Sequence, residues 1–130
     1  MISKDRYEEI GAQIVDAAYH VHRELGPGLL ESVYEICMIE ELKDRGLFVE
    51  NQVRIPVFYK GKELKKDFIV DILVEDLIII ELKAVEDLLP VHEVQLVTYL
   101  KLADKHLGFL INFNVSLIKS GIKRKINGYI

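Results

Sequence analysis

A single cysteine, Cys37, stands in this chain of 130 residues, so an internal disulfide and a cysteine-based zinc site are both excluded. No apolar run approaches the ~18 residues that span a bilayer. The first residues, MISKDRYEEIG, are charged and lack the apolar stretch of a signal peptide. There are no repeats, no low-complexity tract and no flexible linker. Together these absences lead us to expect an intracellular, cytoplasmic protein that makes no use of a membrane. An excess of positive charge is missing too: the net charge is −4, against a strong non-specific coat of nucleic acid. The charge is nevertheless uneven. Residues 1–50 hold 5 basic and 11 acidic side chains, residues 51–130 hold 12 and 10, and the five from Lys105 onward are all basic. Local field matters more than total charge for phosphate contact.

What is present is a hydrophobic content of 50%, enough for one compact domain over residues 1–130 and too little chain for two. Asp5 with Glu8 resembles a capping box, and Ile10, Ile14, Ala17, Ala18, Val21 and Leu25 recur at helical spacing, so a first helix is expected over about 5–24. Gly26-Pro27-Gly28 ends it. A second helix, about 29–45, carries Leu30, Val33, Tyr34, Cys37, Met38 and Leu42 as its buried stripe and stops at Gly46. The period then becomes two. Val53, Ile55, Val57 and Tyr59 form a strand, with Pro56 placing it at an edge or a bulge. A turn at Lys60-Gly61-Lys62 leads into a strand ending near Val74, and a turn at Glu75-Asp76 into one ending at Lys83. Pro90 opens a third helix with apolar positions at Val94, Leu96, Val97, Leu100 and Leu102. LGFLINF and SLIKSGIKRKI read as two further strands. The order ααβββαββ implies an α/β or α+β domain, a mixed sheet flanked by helices.

Inside the most apolar stretch, VDILVEDLIIIELKA, stand Asp71, Glu81 and Lys83. Glu81 and Lys83 share a strand face. A buried, unpaired carboxylate costs several kcal/mol, so it calls for a cation or a set of donors. Two carboxylates facing each other repel, and a divalent cation relieves them. Such a pair suits phosphodiester hydrolysis: Asp71 and Glu81 hold Mg²⁺, with Mn²⁺ as a substitute, the Leu82 carbonyl completes the coordination, and Lys83 serves the attacking water. The bland alternative is a solvated face of an amphipathic hairpin. Register separates the two. A two-residue turn at Glu75-Asp76 sets Asp71 against Ile80 and sends Glu81 to the other face; we expect instead a three-residue loop or a bulge between 72 and 80, which sets Asp71 against Glu81.

Gln95 and Tyr99, four apart on the third helix, share a face and can position a lysine, a water or a phosphate. Glu31 begins the second helix, where the helix dipole alone favours a carboxylate; otherwise it reaches the metal or its water shell. His20 and His22 diverge on their helix and make poor joint ligands, His92 suits a surface or capping role, and Cys37 lies among core positions. Lys60, Lys62, Lys65 and Lys66 read as a soluble turn. Lys119, Lys123, Arg124 and Lys125 are the better candidates for a nucleic-acid-binding strip, although a charged edge strand has the same pattern.

The ordered set Asp71, Glu81-Leu82-Lys83 and Gln95-x-x-x-Tyr99 resembles the PD-(D/E)XK nuclease superfamily. Its QxxxY helix is similar to the RecB-like and Holliday-junction-resolvase-like branches. Gly28-Leu-Leu-Glu31-Ser-Val-Tyr34 resembles the signature of the GxxExxY family within it. The resemblance runs from about Ile10 to the C-terminal GIKRKING, with Val70 where the superfamily's name has proline. It implies a restriction-endonuclease-like αβββαβ core with an extra N-terminal helix and C-terminal strand. It also implies Asp71 and Glu81 as metal ligands, Lys83 as the catalytic lysine, and Glu31, Gln95 and Tyr99 as supporting residues. The expected activity is Mg²⁺-dependent nuclease action on DNA, with RNA as the other substrate. A homodimer is the expected assembly, because a bare core offers one active site to a two-stranded substrate. The alternative is a nuclease-fold protein with little or no cleavage that binds nucleic acid or docks a protein.

Overall fold

The computed structural model describes residues 2–130. Helix α1 (Lys4–Leu25) starts one residue before the expected box: Ser3 is the cap, its hydroxyl accepting the Arg6 N–H at 3.2 Å, and Asp5 lies in the first turn. Gly26, at φ 70°, closes α1 by donating to the His22 carbonyl. Helix α2 spans Glu31–Asp44. Its stripe is narrower than the apolar pattern suggests, because Tyr34, Met38 and Leu42 are buried while Leu30, just before the helix, is 74% exposed.

Five strands follow in chain order across one sheet: β1 (Val49–Tyr59), β2 (Lys62–Val74), β3 (Ile78–Lys83), β4 (Leu107–Asn112) and β5 (Ile122–Ile126). All neighbours are antiparallel except β3 and β4. That parallel pair needs a crossover, which helix α3 (Pro90–Ala103) supplies. The result is the mixed, helix-flanked α+β architecture expected from the sequence and consistent with a restriction-endonuclease-like fold. Pro56 sits where it costs least, on edge strand β1 beside a register shift between Pro56 and Phe58. The final segment departs from expectation. Ile118–Gly121 is a short 3-10 helix, so Lys119 lies on that turn and only Lys123, Arg124 and Lys125 lie on β5.

The sheet is buried on both faces. Ile72, Val74, Ile78, Ile80 and Leu82 pack into the core beneath α1 and α2. Val70, Leu73 and Ile79 pack with Leu96 and Leu100 of α3. α3 comes close because β4 carries Gly108, where an added Cβ would lie 2.9 Å from Leu96 Cδ1. Val94 and Leu102, read as apolar helix positions, face outward at 63% and 42% exposure. Among the described residues no helix is long and apolar enough to cross a membrane.

The 3-10 turn is locked to the end of β4. A Cβ at Gly121 would fall 2.2 Å from the Asn112 carbonyl oxygen, and backbone does not yield cheaply. Gly121→Ala is therefore expected to cost about 1–3 kcal/mol, read as a fall of roughly 3–15 °C in melting midpoint. An unchanged midpoint would show that the turn shifts freely.

Candidate active site

The loop between β2 and β3 holds three residues, Glu75, Asp76 and Leu77, since Val74 pairs with Ile78. Glu75 and Asp76 both take left-handed backbone, φ 54° and 55°. The odd length carries the register through Ile72↔Ile80, so the next positions in line are Asp71 and Glu81. The three-residue alternative is the one realised.

At those two positions the ladder changes character. The Asp71 N–H donates to Glu81 Oε2 at 2.8 Å, and the Leu82 N–H donates to Asp71 Oδ2 at 2.8 Å. Each carboxylate thus binds backbone of the strand opposite, which fixes both side chains. On its other side Asp71 meets a gap as well: the β1–β2 register skips Gln52, whose backbone is left-handed at φ 51°. Val70 packs on the α3 side and Ile72 on the α1/α2 side, so strict alternation fails and the strand turns over at Asp71.

The electrostatics follow from this crowding. Glu81 is 9% exposed. Burial first, and the Asp71 charge second, push its carboxyl up from 4.5 to about 8, against the pull of an Asp71 backbone hydrogen bond and of Lys83. Glu31, in the first turn of α2, is raised by partial burial and then by Asp71, with Lys83 opposing. The same charges reach Tyr99 on α3, whose phenol is raised by burial, Glu81 and Asp71. Tyr99 also stacks on Phe68 of β2 at 4.3 Å between ring centres. Asp71 and Glu81 thus meet near the C-terminal end of β3, and Glu31, Lys83 and Tyr99 lie near enough to exchange charge effects with them. Gln95 lies one turn before Tyr99 with an exposed side chain.

Besides accepting those backbone N–H groups, the two carboxyl groups lie close enough to share a side-chain hydrogen bond while Glu81 keeps its proton. Two hard oxygen donors on a rigid backbone, with mutual repulsion to relieve, fit a divalent cation. Among the described residues no group of three or more His, Cys, Asp and Glu side chains converges on a metal position. The remaining ligands would be water and substrate, the arrangement Mg²⁺ favours.

Four residues matter here that sequence reasoning passed over or left without a role. Tyr34 donates to the Gly26 carbonyl at 2.6 Å, accepts the Leu29 N–H at 3.1 Å and stacks on Phe113, so it fastens the loop that delivers Glu31. Gly28 in that loop has φ 98°, which only glycine adopts easily. Glu35, a turn after Glu31, accepts from Gln52 at 2.7 Å and is also raised, by burial and, more weakly, by Asp71. Asn112, 2% exposed, donates to the Val85 carbonyl at 2.9 Å and accepts the Val85 N–H at 3.1 Å, while the Phe113 N–H donates to the Lys83 carbonyl at 3.0 Å. These bonds hold the chain on leaving Lys83. A polar residue inside LGFLINF was the available signal for Asn112; Gln52 offered none.

The cations of the C-terminal segment divide. Arg124 pairs with Glu8 of α1, and Lys125 with Glu93 of α3 at 2.6 Å. Lys119 and Lys123 make no ion pair with a described residue. His92 caps α3, its Nδ1 accepting the Leu89 N–H at 3.0 Å. His22 contacts the Val115 carbonyl at 2.8 Å and His20 lies 3.6 Å from Asp16, so neither serves the site. Cys37 is half-buried against the core.

A model of the PD-(D/E)XK nuclease superfamily matches residues 8–125. The chain belongs to the PD-(D/E)XK nuclease superfamily. Nucleases of this superfamily generally use divalent metal ions. The crystal structure of SSO0001 shares the fold, with a TM-score of 0.50 and 21% identity over 95% of this chain and 57% of that one. The chain thus spans little more than half the length of SSO0001. No curated protein matches the sequence as a relative. Asp71 and Glu81 stand where the regular β2–β3 ladder gives way to carboxylate–amide bonds.

The raised Glu81 carboxyl has a stability consequence in metal-free protein. The folded state keeps a proton that the unfolded chain has lost above 4.5, so stability present below that value is lost as pH rises to about 8. Urea unfolding in EDTA at about pH 5 and about pH 8 should show wild type losing on the order of a few kcal/mol relative to Glu81→Gln across that window. Parallel pH dependence in the two proteins would mean that Glu81 is not buried against Asp71.

Proposed function

We propose that this chain is a Mg²⁺-dependent nuclease acting on DNA, and that residues 1–130 work as a single nuclease domain of the RecB-like, GxxExxY type. The observation that carries the reading is the convergence of Asp71 and Glu81, each fixed by a backbone N–H of the other's strand. Asp71 and Glu81 would hold the ion, with Mn²⁺ as a substitute. When bound, it supplies Lewis-acid polarisation of the phosphate and a water of lowered pKa.

The chain's own residues do the rest. Lys83 projects from the same strand face as Glu81; its ammonium orients the attacking water and balances charge developing on the phosphate oxygens. Asn112 and Phe113 keep the backbone of Lys83 in place through the bonds at Val85 and at the Lys83 carbonyl. Glu31 accepts hydrogen bonds from water at the site's open side, where the fastened Gly28 loop holds it. Tyr99, braced on Phe68, positions Lys83 or a phosphate oxygen from α3, with Gln95 presented one turn away. Lys119, Lys123, Arg124 and Lys125 add positive field along the substrate, and a homodimer would bring a second site to the other strand.

Thermal melting in EDTA, Mg²⁺ and Mn²⁺ tests the site without a substrate. Divalent ions should raise the wild-type midpoint and leave Glu81→Ala unmoved, and metal-free Glu81→Ala should melt at or above wild type. Lys83→Ala should keep the metal-induced shift and lose cleavage of a mixed panel of linear and branched DNA by about 10²-fold or more. Intact cleavage by a folded Lys83→Ala protein would remove the lysine from the mechanism.

A further inference from the structure

Beyond Phe68 the sheet narrows to two strands. β3 pairs with β2 only at Ile72–Val74, whereas β1 and β2 stay paired out to Tyr59↔Lys62. The result is a ribbon that starts at Asp71 and projects past the rest of the sheet. Its base is rigid, because Val53, Ile55 and Phe68 pack on the α3 core and Phe68 stacks on Tyr99. Its far end packs on nothing: Phe58, Tyr59 and Leu64 are 55%, 63% and 40% exposed.

The two faces of the ribbon differ in charge. On one, Arg54 and Asp67 lie 3.7 Å apart, and Glu63 accompanies Lys65 by alternation, so the charges offset. Lys62, paired with Tyr59, lies on the face of Phe68, paired with Ile55; Leu64 and Lys66 stand in the irregular stretch between them. Lys60 at the turn lies over the Tyr59 ring at 5.5 Å. None of Lys60, Lys62 and Lys66 makes an ion pair with a described residue, in contrast to Arg124 and Lys125. A chain of net charge −4 thus places three cations without an ion pair to a described residue on a ribbon that leads to Asp71.

We propose that this ribbon is an arm that lies along the sugar–phosphate backbone of duplex DNA, with Lys62 and Lys66 on phosphates to one side of the bond under attack. The proposal rests on the nuclease reading for its substrate. It names a contact surface that the sequence pattern alone presents as a solvated turn. The strand is its own ruler. Lys62 precedes Asp71 by nine residues on β2, of which the register shift between Pro56 and Phe58 absorbs two, so it lies roughly 23 Å along the ribbon at ~3.3 Å per residue, with Lys66 between. At ~3.4 Å per base pair Lys62 reaches a phosphate about seven base pairs from the site, and Lys66 one nearer to it. Tyr59 and Leu64 fill the space between the lysine stems, and the like charges, which repel when free, are relieved by the phosphate track.

The test is fluorescence anisotropy with a labelled DNA duplex of about 30 base pairs, in EDTA, across roughly 50 to 200 mM salt. Lys62→Gln/Lys66→Gln should bind about tenfold more weakly per lysine at the low-salt end, and the slope of log affinity against log salt should fall by roughly 1.8. Lys4→Gln/Lys43→Gln, with the same change in net charge, should leave the slope at its wild-type value. All these side chains are exposed, so unchanged melting midpoints certify the fold. An arm variant that binds like wild type overturns the proposal, as does a control that moves as far as the arm variant. Absence of duplex binding by wild type overturns it too, while the metal-dependent melting of Asp71 and Glu81 judges the nuclease reading separately.

Discussion

The site depends on register. Three residues between β2 and β3, rather than two, bring Asp71 and Glu81 into opposition instead of sending them to opposite faces of the sheet. Buried pairing in a sheet is unforgiving, since a slip of one residue turns every side chain over. Here the apolar run Ile78–Leu82 enforces the register, because shifting it would carry Glu81 into the core beneath α1 and α2. The hydrophobic effect thereby aligns two groups that electrostatics alone would separate.

Around that opposition the structure spends backbone hydrogen bonds to hold charge. In an ordinary hairpin the next ladder step would pair amides with carbonyls. Here carboxylate oxygens take two of the amides, and Gln52 leaves the regular strand conformation on the other side of Asp71. The site is a controlled interruption of the sheet, fastened on its open sides by Tyr34, Asn112 and the Glu35–Gln52 bond. Such local conflict between sheet and side chain is the pattern expected where function overrides fold.

Much of this was legible in the residues. The ααβββαβ order, Pro56 at an edge beside a bulge, and the abrupt charge after Ile80 all follow from periodicity and from the cost of burying a carboxylate. So did the register: the need to bring Asp71 against Glu81 predicts an odd loop or a bulge between residues 72 and 80, and the three-residue loop Glu75-Asp76-Leu77 supplies it. Less legible were features set by distant contacts. Leu30 reads as core because helical spacing does not show where a helix begins. The segment around Lys119 reads as strand because Ser120 and Gly121 do not announce a 3-10 turn whose tightness is imposed by Asn112. Arg124 and Lys125 read as free cations because their partners, Glu8 and Glu93, are remote in sequence.

The face change at Asp71 divides the β1–β2 hairpin into two regimes of tolerance. On the β3 side, a single residue added to or removed from Glu75-Asp76-Leu77 breaks the opposition of carboxylates. On the other side the ribbon ends in an open turn, with no core to disturb beyond Phe68. Residues inserted in pairs around Lys60-Gly61 lengthen it without moving anything at the site. The same hairpin is therefore frozen at one end and open to changes of length at the other.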